Sequence, residues 1–324
     1  MYKLLGVVPC QRAISLWDDR ISSDLGLVHN WLEIDWLKVR SNGMIIDCHV
    51  HVWELPPIAP IGPTAPTWTA VTEEAGPTEL LIEDMDANGV DAAVLVQSSG
   101  STWDNTYVAE SANAHPERFR SIGLVDPMDP ENATIATRWM DDLGVSGFRF
   151  HPDYYPDDVV LDVDRNGAMF RAIEERGGIV KVHNRVGNVG QMAGVVGEFP
   201  GITWIVDHMM YPEPWMAGDG WTAYLPVLEL AEHPNTVMTI SDVHSRSGEG
   251  FPYGDMHGVV AMALDAFGIE RCIWGTGYPG YLREKNGWIS LADELRLVRK
   301  GFDWLTEGER GMLLGENAKR IYGF

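Results

Sequence analysis

The feature that most constrains this chain is an alternation of short apolar runs with longer stretches of helical periodicity. The runs are Met44–Cys48, Ala92–Gln97, Arg120–Val125, Gly147–Phe150, Ile179–His183, Ile202–His208, Val237–Ser241 and Cys272–Gly275. Between them lie amphipathic patterns at Glu79–Asn88, Thr134–Leu143, Ala168–Arg176, Tyr224–Glu232 and Val259–Phe267. Gly89, Gly144, Gly177 and Gly268 stand where such helices should stop, because glycine closes a helix end without steric cost. About 280 residues over eight units is about 35 per unit, the size of a parallel βα crossover. Strands that alternate with helices imply a parallel sheet, and eight repeats predict a closed (β/α)8 TIM barrel in a single α/β domain over residues 44–324. A doubly wound open sheet is the runner-up, and no G-x-G-x-x-G turn follows an early strand to support it.

Residues 1–43 read differently. Trp17, Trp31 and Trp36 sit among charges without a sustained period, and the texture changes abruptly at Met44 to MIIDCHVHVWE. This predicts a poorly structured N-terminal extension, either an arm or a segment upstream of the true translation start at Met44. The second reading is favoured, because nothing upstream resembles a packed element.

Composition narrows the partners. Lys and Arg number 24 against 47 Asp and Glu, a net charge of −23. Nucleic acid and anionic membranes need a basic surface, so neither is an expected partner. No apolar run approaches the roughly 18 residues that cross a bilayer. Cys10, Cys48 and Cys272 form no disulfide framework, and a cytoplasmic location is expected.

In such a barrel, function lies at the carboxyl ends of the strands. His49 and His51 end the first run, His151 follows the fourth, His183 closes the fifth and His208 the sixth. Chance supplies about 0.3 H-x-H pairs in a chain this rich in histidine, so position at the strand ends carries the weight. By alternation, Arg149 shares a face with His151, Lys181 with His183, and Trp204 and Val206 with His208. Imidazoles converging on one point suggest a divalent cation, zinc foremost. The plainer alternative is a set of buried, hydrogen-bonded histidines, and His151 has the further option of binding substrate without touching metal. His115 and His233, each before a proline, read as structural, and His244 falls just beyond the seventh run. Lys181 requires a partner inside a barrel, either a buried carboxylate or, as a carbamate, a metal.

These motifs resemble the amidohydrolase superfamily, specifically its amidohydrolase-2 branch of lactonases, hydratases and decarboxylases. The D-x-H-x-H opening is Asp47-Cys48-His49-Val50-His51, the fourth strand ends in Phe150-His151-Pro152, and the eighth carries Trp274-Gly275-Thr276-Gly277-Tyr278-Pro279. The tail from Leu305 to Tyr322 resembles the helix that closes these barrels, so the likeness spans Met44 to Phe324. The resemblance implies His49, His51 and His183 as ligands of one metal, zinc or manganese, although some relatives work without metal. It also implies His208 in proton transfer and a homodimer. One position departs: Gly277 stands where the family has an aspartate that binds metal or moves the proton. Strand alternation turns Asp207 away from the pocket, whereas Asp242, after the seventh run, has a loop to aim it at the gap. The other readings of Gly277 are a histidine base, substrate-assisted catalysis, or an impaired, non-catalytic barrel that keeps a binding pocket.

For an active enzyme, this constellation implies hydrolysis of a lactone, ester or amide of a small carboxylated compound, with decarboxylation or hydration as the alternative. Arg149, His151, Arg185 and Tyr278 are the candidate substrate contacts, Arg149 having the alternative of a buried ion pair. Six prolines between Pro56 and Pro77 predict a lid or a stiff surface loop.

Overall fold

A computed structural model describes residues 43–54, 61–65, 75–277 and 289–324. The expectation for the N-terminal extension, most of the proline-rich loop and Tyr278 lie outside the described residues. Eight strands follow one another: β1 (Ile46–Val50), β2 (Ala92–Val96), β3 (Phe119–Ile122), β4 (Gly147–Phe150), β5 (Ile179–Val182), β6 (Thr203–Val206), β7 (Thr236–Ile240) and β8 (Cys272–Trp274). Each falls on its apolar run, with ends displaced by at most three residues.

The helices are α1 (Thr78–Asn88), α2 (Thr106–Ala114), α3 (Asn132–Leu143), α4 (Val163–Glu174), α5 (Val189–Val196) and α6 (Leu225–Glu229). They continue as α7 (Val243–Arg246), α8 (Gly254–Phe267), α9 (Leu291–Arg296), α10 (Glu307–Gly311) and α11 (Asn317–Tyr322). Gly89 and Gly144 end α1 and α3 in the left-handed conformation. Helix α4 begins five residues before the periodic pattern at Ala168, because the Asp162 side chain accepts from the backbone N–H groups of Asp164 and Arg165.

All neighbouring strands pair in parallel, as β1-β2-β3 and as β4 through β8. Backbone bonds bridge the two groups: Gly123 donates to Gly147 O at 2.9 Å and Arg149 donates to Gly123 O at 2.9 Å. On the other side Gly277 N–H donates to His49 O at 2.8 Å, and the Asp47 carboxylate accepts from Thr276 N–H (3.0 Å) and Oγ1 (2.6 Å). These contacts close the ring of strands.

Alternation sorts the apolar residues into two layers. Phe148, Phe150, Val180, Val182, Trp204 and Val206 face the helices, where Phe170 packs against Phe150 and Trp204. Ile46, Val94, Ile122, Ile179, Ile205, Val237 and Ile273 fill the barrel, and Ala318 and Tyr322 of α11 plug its floor. Arg120 on β3 fixes that plug, donating to Tyr322 O and Gly323 O at 3.2 and 2.6 Å with its guanidinium 4.5 Å from the Phe324 ring centre. No helix among the described residues is long and apolar enough to cross a membrane.

Candidate active site

Above the apolar filling, the strand ends carry a layer of buried charge. Asp207 is fully buried, with Arg149 Nε at 2.7 Å, Lys181 Nζ at 3.0 Å and His49 Nδ1 at 3.4 Å from its oxygens. Burial alone raises its carboxyl, but Lys181, His49 and Arg149 outweigh that and hold it well below the usual carboxylate range. This corrects the reading that alternation turns Asp207 away from the pocket. Trp204 and Val206 do face outward, and Asp207 continues the interior face of Ile205. His208 would then point outward, but the strand stops before it. His208, Met209, Met210 and Tyr211 all have φ between 51° and 56°, a left-handed turn that costs L-residues about 1–2 kcal/mol each. The turn swings His208 into the same cavity, so its sharing a face with Trp204 and Val206 is also corrected. Lys181 has its carboxylate partner in Asp207 and also donates to Cys48 O at 3.3 Å.

Four further imidazoles surround His208. The rings of His49 and His51 lie 4.9 Å apart, those of His49 and His208 4.6 Å, and those of His151 and His183 5.0 Å. His183 stands off from His208 by 6.3 Å. Register explains the first pair: β1 shifts against β2 between Asp47 and Val50, which lets Cys48 join the interior layer while His49 and His51 still face the cavity.

The protons on these rings are assigned by their partners. His51 Nδ1 lies 2.8 Å from Val96 O, which can only accept, so Nδ1 carries the proton and Nε2 a lone pair. His49 Nδ1 stands 3.4 Å from the ionised Asp207 without a directed hydrogen bond, and the negative charge favours the proton on that nitrogen, which leaves Nε2 its lone pair as well. Those two Nε2 atoms are 3.2 Å apart. Burial holds both rings neutral, pushing His51 down to about 3 and His49 well below its ordinary value, so neither brings a second proton to the gap. Two lone pairs facing each other repel unless a cation lies between them, and two nitrogens on one tetrahedral zinc stand about 3.3 Å apart. The pair therefore fits a divalent ion. His183 Nδ1 sits 2.9 Å from Asp153 Oδ1, which leaves its Nε2 free too.

His49, Asp207 and His208 form another group, with ligand atoms within 4.8 Å of one another. Asp207 is already engaged by two cations, so the bare Nε2 pair is the better-suited donor set. His183 is not brought into either cluster as closely as His49 and His51 are to each other.

His208 Nε2 accepts from the Arg149 guanidinium at 3.3 Å, and its Nδ1–H donates to Ser241 Oγ at 2.8 Å. Burial pushes this ring down to about 4 against the pull of Asp242 and Asp207. Asp242 holds a left-handed φ of 62°. Burial raises its carboxyl, but His208, His244 and Arg246 together bring it below its ordinary value. His151 is 2% exposed, stacks on Tyr154 at 4.7 Å, and has no partner at either nitrogen among the described residues. Arg185 is half-exposed, with Nε 3.7 Å from Asp153 Oδ2 and its guanidinium 5.5 Å from the Tyr211 ring centre. A narrow crevice lined by Ile61, Trp103, Arg149, His151 and Tyr155 adjoins this cluster. A cavity of about 440 Å³ at the floor, lined by Met140, Arg176 and Tyr322, holds none of these groups.

The amidohydrolase family model (Amidohydro_2) matches residues 46–324. The chain belongs to the amidohydrolase family. It is 24% identical over 263 residues to the L-fucono-1,5-lactonase of Burkholderia ambifaria, covering 77% of this chain and 87% of the relative. Among solved structures, a zinc-bound amidohydrolase from Burkholderia multivorans superposes with a TM-score of 0.71 at 19% identity, covering 87% of this chain and 99% of that one. The 5-carboxyvanillate decarboxylase of Sphingomonas paucimobilis gives 0.62 at 19%, with the same coverage.

Within this amidohydrolase, Gly277 has a φ of 69°, and a Cβ placed there would meet no described atom within 4 Å. The aspartate expected at this position is thus missing without being sterically replaced. Sequence reasoning passed over Asp153, Tyr154 and Tyr211. Asp153 carried a readable signal, since it follows His151 by two residues. Tyr211 carried none, because only the left-handed turn brings its ring within 5.0 Å of both His183 and His208.

Proposed function

We propose that this amidohydrolase is a metal-assisted hydrolase that opens a small polar lactone. The observation that carries the reading is the pair of bare Nε2 atoms on His49 and His51. His49, His51 and His183 hold the ion, zinc by ligand chemistry with manganese as the alternative. Such a cation lowers the pKa of bound water toward neutrality and polarises a carbonyl.

The chain's own residues do the rest. Asp242 accepts the proton that the attacking water gives up as its oxygen bonds to the acyl carbon. The ring C–O bond then breaks, and the same proton is returned to the leaving alkoxide, giving a hydroxy acid. His208, neutral and oriented by Ser241, assists that transfer. Arg149 keeps the charge layer in place and, with Arg185, attracts a substrate carboxylate. His151 offers one donor and one acceptor to the bound ring. The lactonase relative supports a lactone, and the arginines favour an anionic one. A homodimer and a cytoplasmic location complete the proposal. The buried free thiols Cys48 and Cys272 suit a reducing compartment.

The test is turnover of a panel of 1,5-lactones, with and without carboxylates, by protein of measured metal content before and after chelation. Loss of turnover on chelation and recovery with zinc or manganese is the expected result. Full activity in metal-free protein sinks the metal assignment. Gly277→Asp separates this proposal from an impaired barrel. No described atom lies within 4 Å of a Cβ there, an aspartate at that left-handed φ costs about 1 kcal/mol, and with Asp242 already acting the substitution changes kcat by less than about tenfold. An inert wild type that the substitution switches on overturns the enzymatic reading.

A further inference from the structure

We propose that His151 reads a hydroxyl group of the substrate, which makes it a specificity-determining residue for hydroxylated lactones. This rests on the lactonase reading above and adds the kind of lactone that the pocket takes.

His151 is 2% exposed, and neither Nδ1 nor Nε2 has a hydrogen-bond partner among the described residues. The other four imidazoles of the site differ in this respect. Each holds its Nδ1 beside a protein oxygen: His49 beside Asp207, His51 beside Val96, His183 beside Asp153 and His208 beside Ser241. Those oxygens set which nitrogen carries the proton, and no such neighbour sets it for His151. Leaving buried polar atoms unpaired destabilises the fold, and a ligand that supplies the missing partners relieves it.

Packing holds the ring in that state. Its face stacks on Tyr154, 4.7 Å away and 16° from parallel, and the His183 ring stands 5.0 Å off. The nitrogens are left at the edge. His151 lines a crevice walled by Ile61, Trp103, Val125 and Phe150, with about 10 Å³ of open room, the scale of one water-sized group. Apolar walls strengthen a hydrogen bond made there. Arg149 borders the same crevice, but its Nε donates to Asp207 and its Nη2 to His208, so His151 is the freer of the two.

The chemistry of the ring selects its ligand. Burial and the neighbouring Arg149 charge keep it neutral, with one donor nitrogen and one acceptor nitrogen. A carboxylate can only accept and an ammonium can only donate, so each needs one particular tautomer. An alkyl group satisfies neither nitrogen. A hydroxyl both donates and accepts, and meets the ring in either tautomer. A lactone with hydroxyls on its ring is the matching class.

The experiment compares two six-membered lactones on the full chain: L-fucono-1,5-lactone, which carries ring hydroxyls, and δ-valerolactone, which carries none. His151→Phe keeps the stack on Tyr154 and removes both nitrogens. It is expected to lower kcat/KM for L-fucono-1,5-lactone by about 10–100-fold and to leave that for δ-valerolactone within about threefold, with metal content unchanged. His151→Asn and His151→Gln place an amide near the Nδ1 and Nε2 positions, and one of them should recover about tenfold over His151→Phe. An equal loss on both lactones, or recovery by neither amide, overturns the inference. Should His151→Phe fail to fold, His151→Leu takes its place.

A second arm needs no turnover. L-Fucose carries the same ring hydroxyls and no ester bond, and titration calorimetry reads its binding to wild type and variant. His151→Phe should bind it about tenfold more weakly. Equal affinity, or no binding to the wild type, overturns the inference whether or not either lactone is hydrolysed. If L-fucose binding weakens as expected while the wild type hydrolyses neither lactone, the lactonase reading fails and the hydroxyl-reading site stands.

Discussion

The two ends of the barrel are built on opposite principles. The floor is regular: strand residues alternate cleanly, aliphatic side chains fill the cylinder, and Tyr322 seals it under the hold of Arg120. The mouth is irregular. There β1 slips register, β6 gives way to four left-handed residues, Asp242 is left-handed as well, and a carboxylate, a lysine and an arginine are buried together. Stability collects where the backbone is relaxed, and chemistry where it is strained. The mouth keeps its strained shape because the floor and the helix layer over-determine the strands that lead into it.

The contrast can be tested by substitutions that damage one end and spare the other. The largest effect is expected from Asp242→Asn, a fall in kcat of about 10²–10⁴-fold with an unchanged urea midpoint. Asp207→Ala comes next. It leaves Arg149 and Lys181 buried without their carboxylate and should cost about 3–5 kcal/mol in equilibrium denaturation, which would show that one residue of the mouth also supports the fold. Tyr322→Ala should cost a similar amount, about 3–5 kcal/mol, while KM for any accepted lactone stays within twofold. A KM change there would break the division between the ends.

A smaller effect concerns pH. The folded His208 is pushed down to about 4, below the value of about 6.5 expected in the unfolded chain. Between those values the unfolded state binds more protons, so stability falls as pH drops. The His208 contribution between pH 6.5 and 5 is about 1–2 kcal/mol, and His208→Gln should flatten that part of the pH–stability curve. The smallest effect is Thr102→Gly. Thr102 has a φ of 62° in the loop after β2, and relieving it should raise the thermal midpoint by an amount equivalent to about 0.5–1 kcal/mol.

The same division explains what could be read from the residues. All eight strands and the histidines at their ends were legible, because a two-residue period and an apolar run survive in one dimension. Gly89 and Gly144 announced helix ends through their own chemistry. Asp207 was misplaced because alternation was carried one residue too far, and nothing in Asp-His-Met-Met-Tyr signals a left-handed turn without glycine. The ion pair between Asp207 and Lys181 spans 26 positions, and that between Asp207 and Arg149 spans 58, so no local pattern marks either. Helix α4 was shortened because its first turn is held by the Asp162 cap rather than by an apolar stripe.

The clamp of Arg120 on Tyr322 and Gly323 joins positions 202 and 203 apart in the chain. A ribosome adding about 5–20 residues per second needs roughly 10–40 s to make that stretch. Through that interval the strands accumulate without their plug, and the apolar lower ends that Ala318 and Tyr322 will cover stay open. Only once α11 has been made can the barrel shut itself.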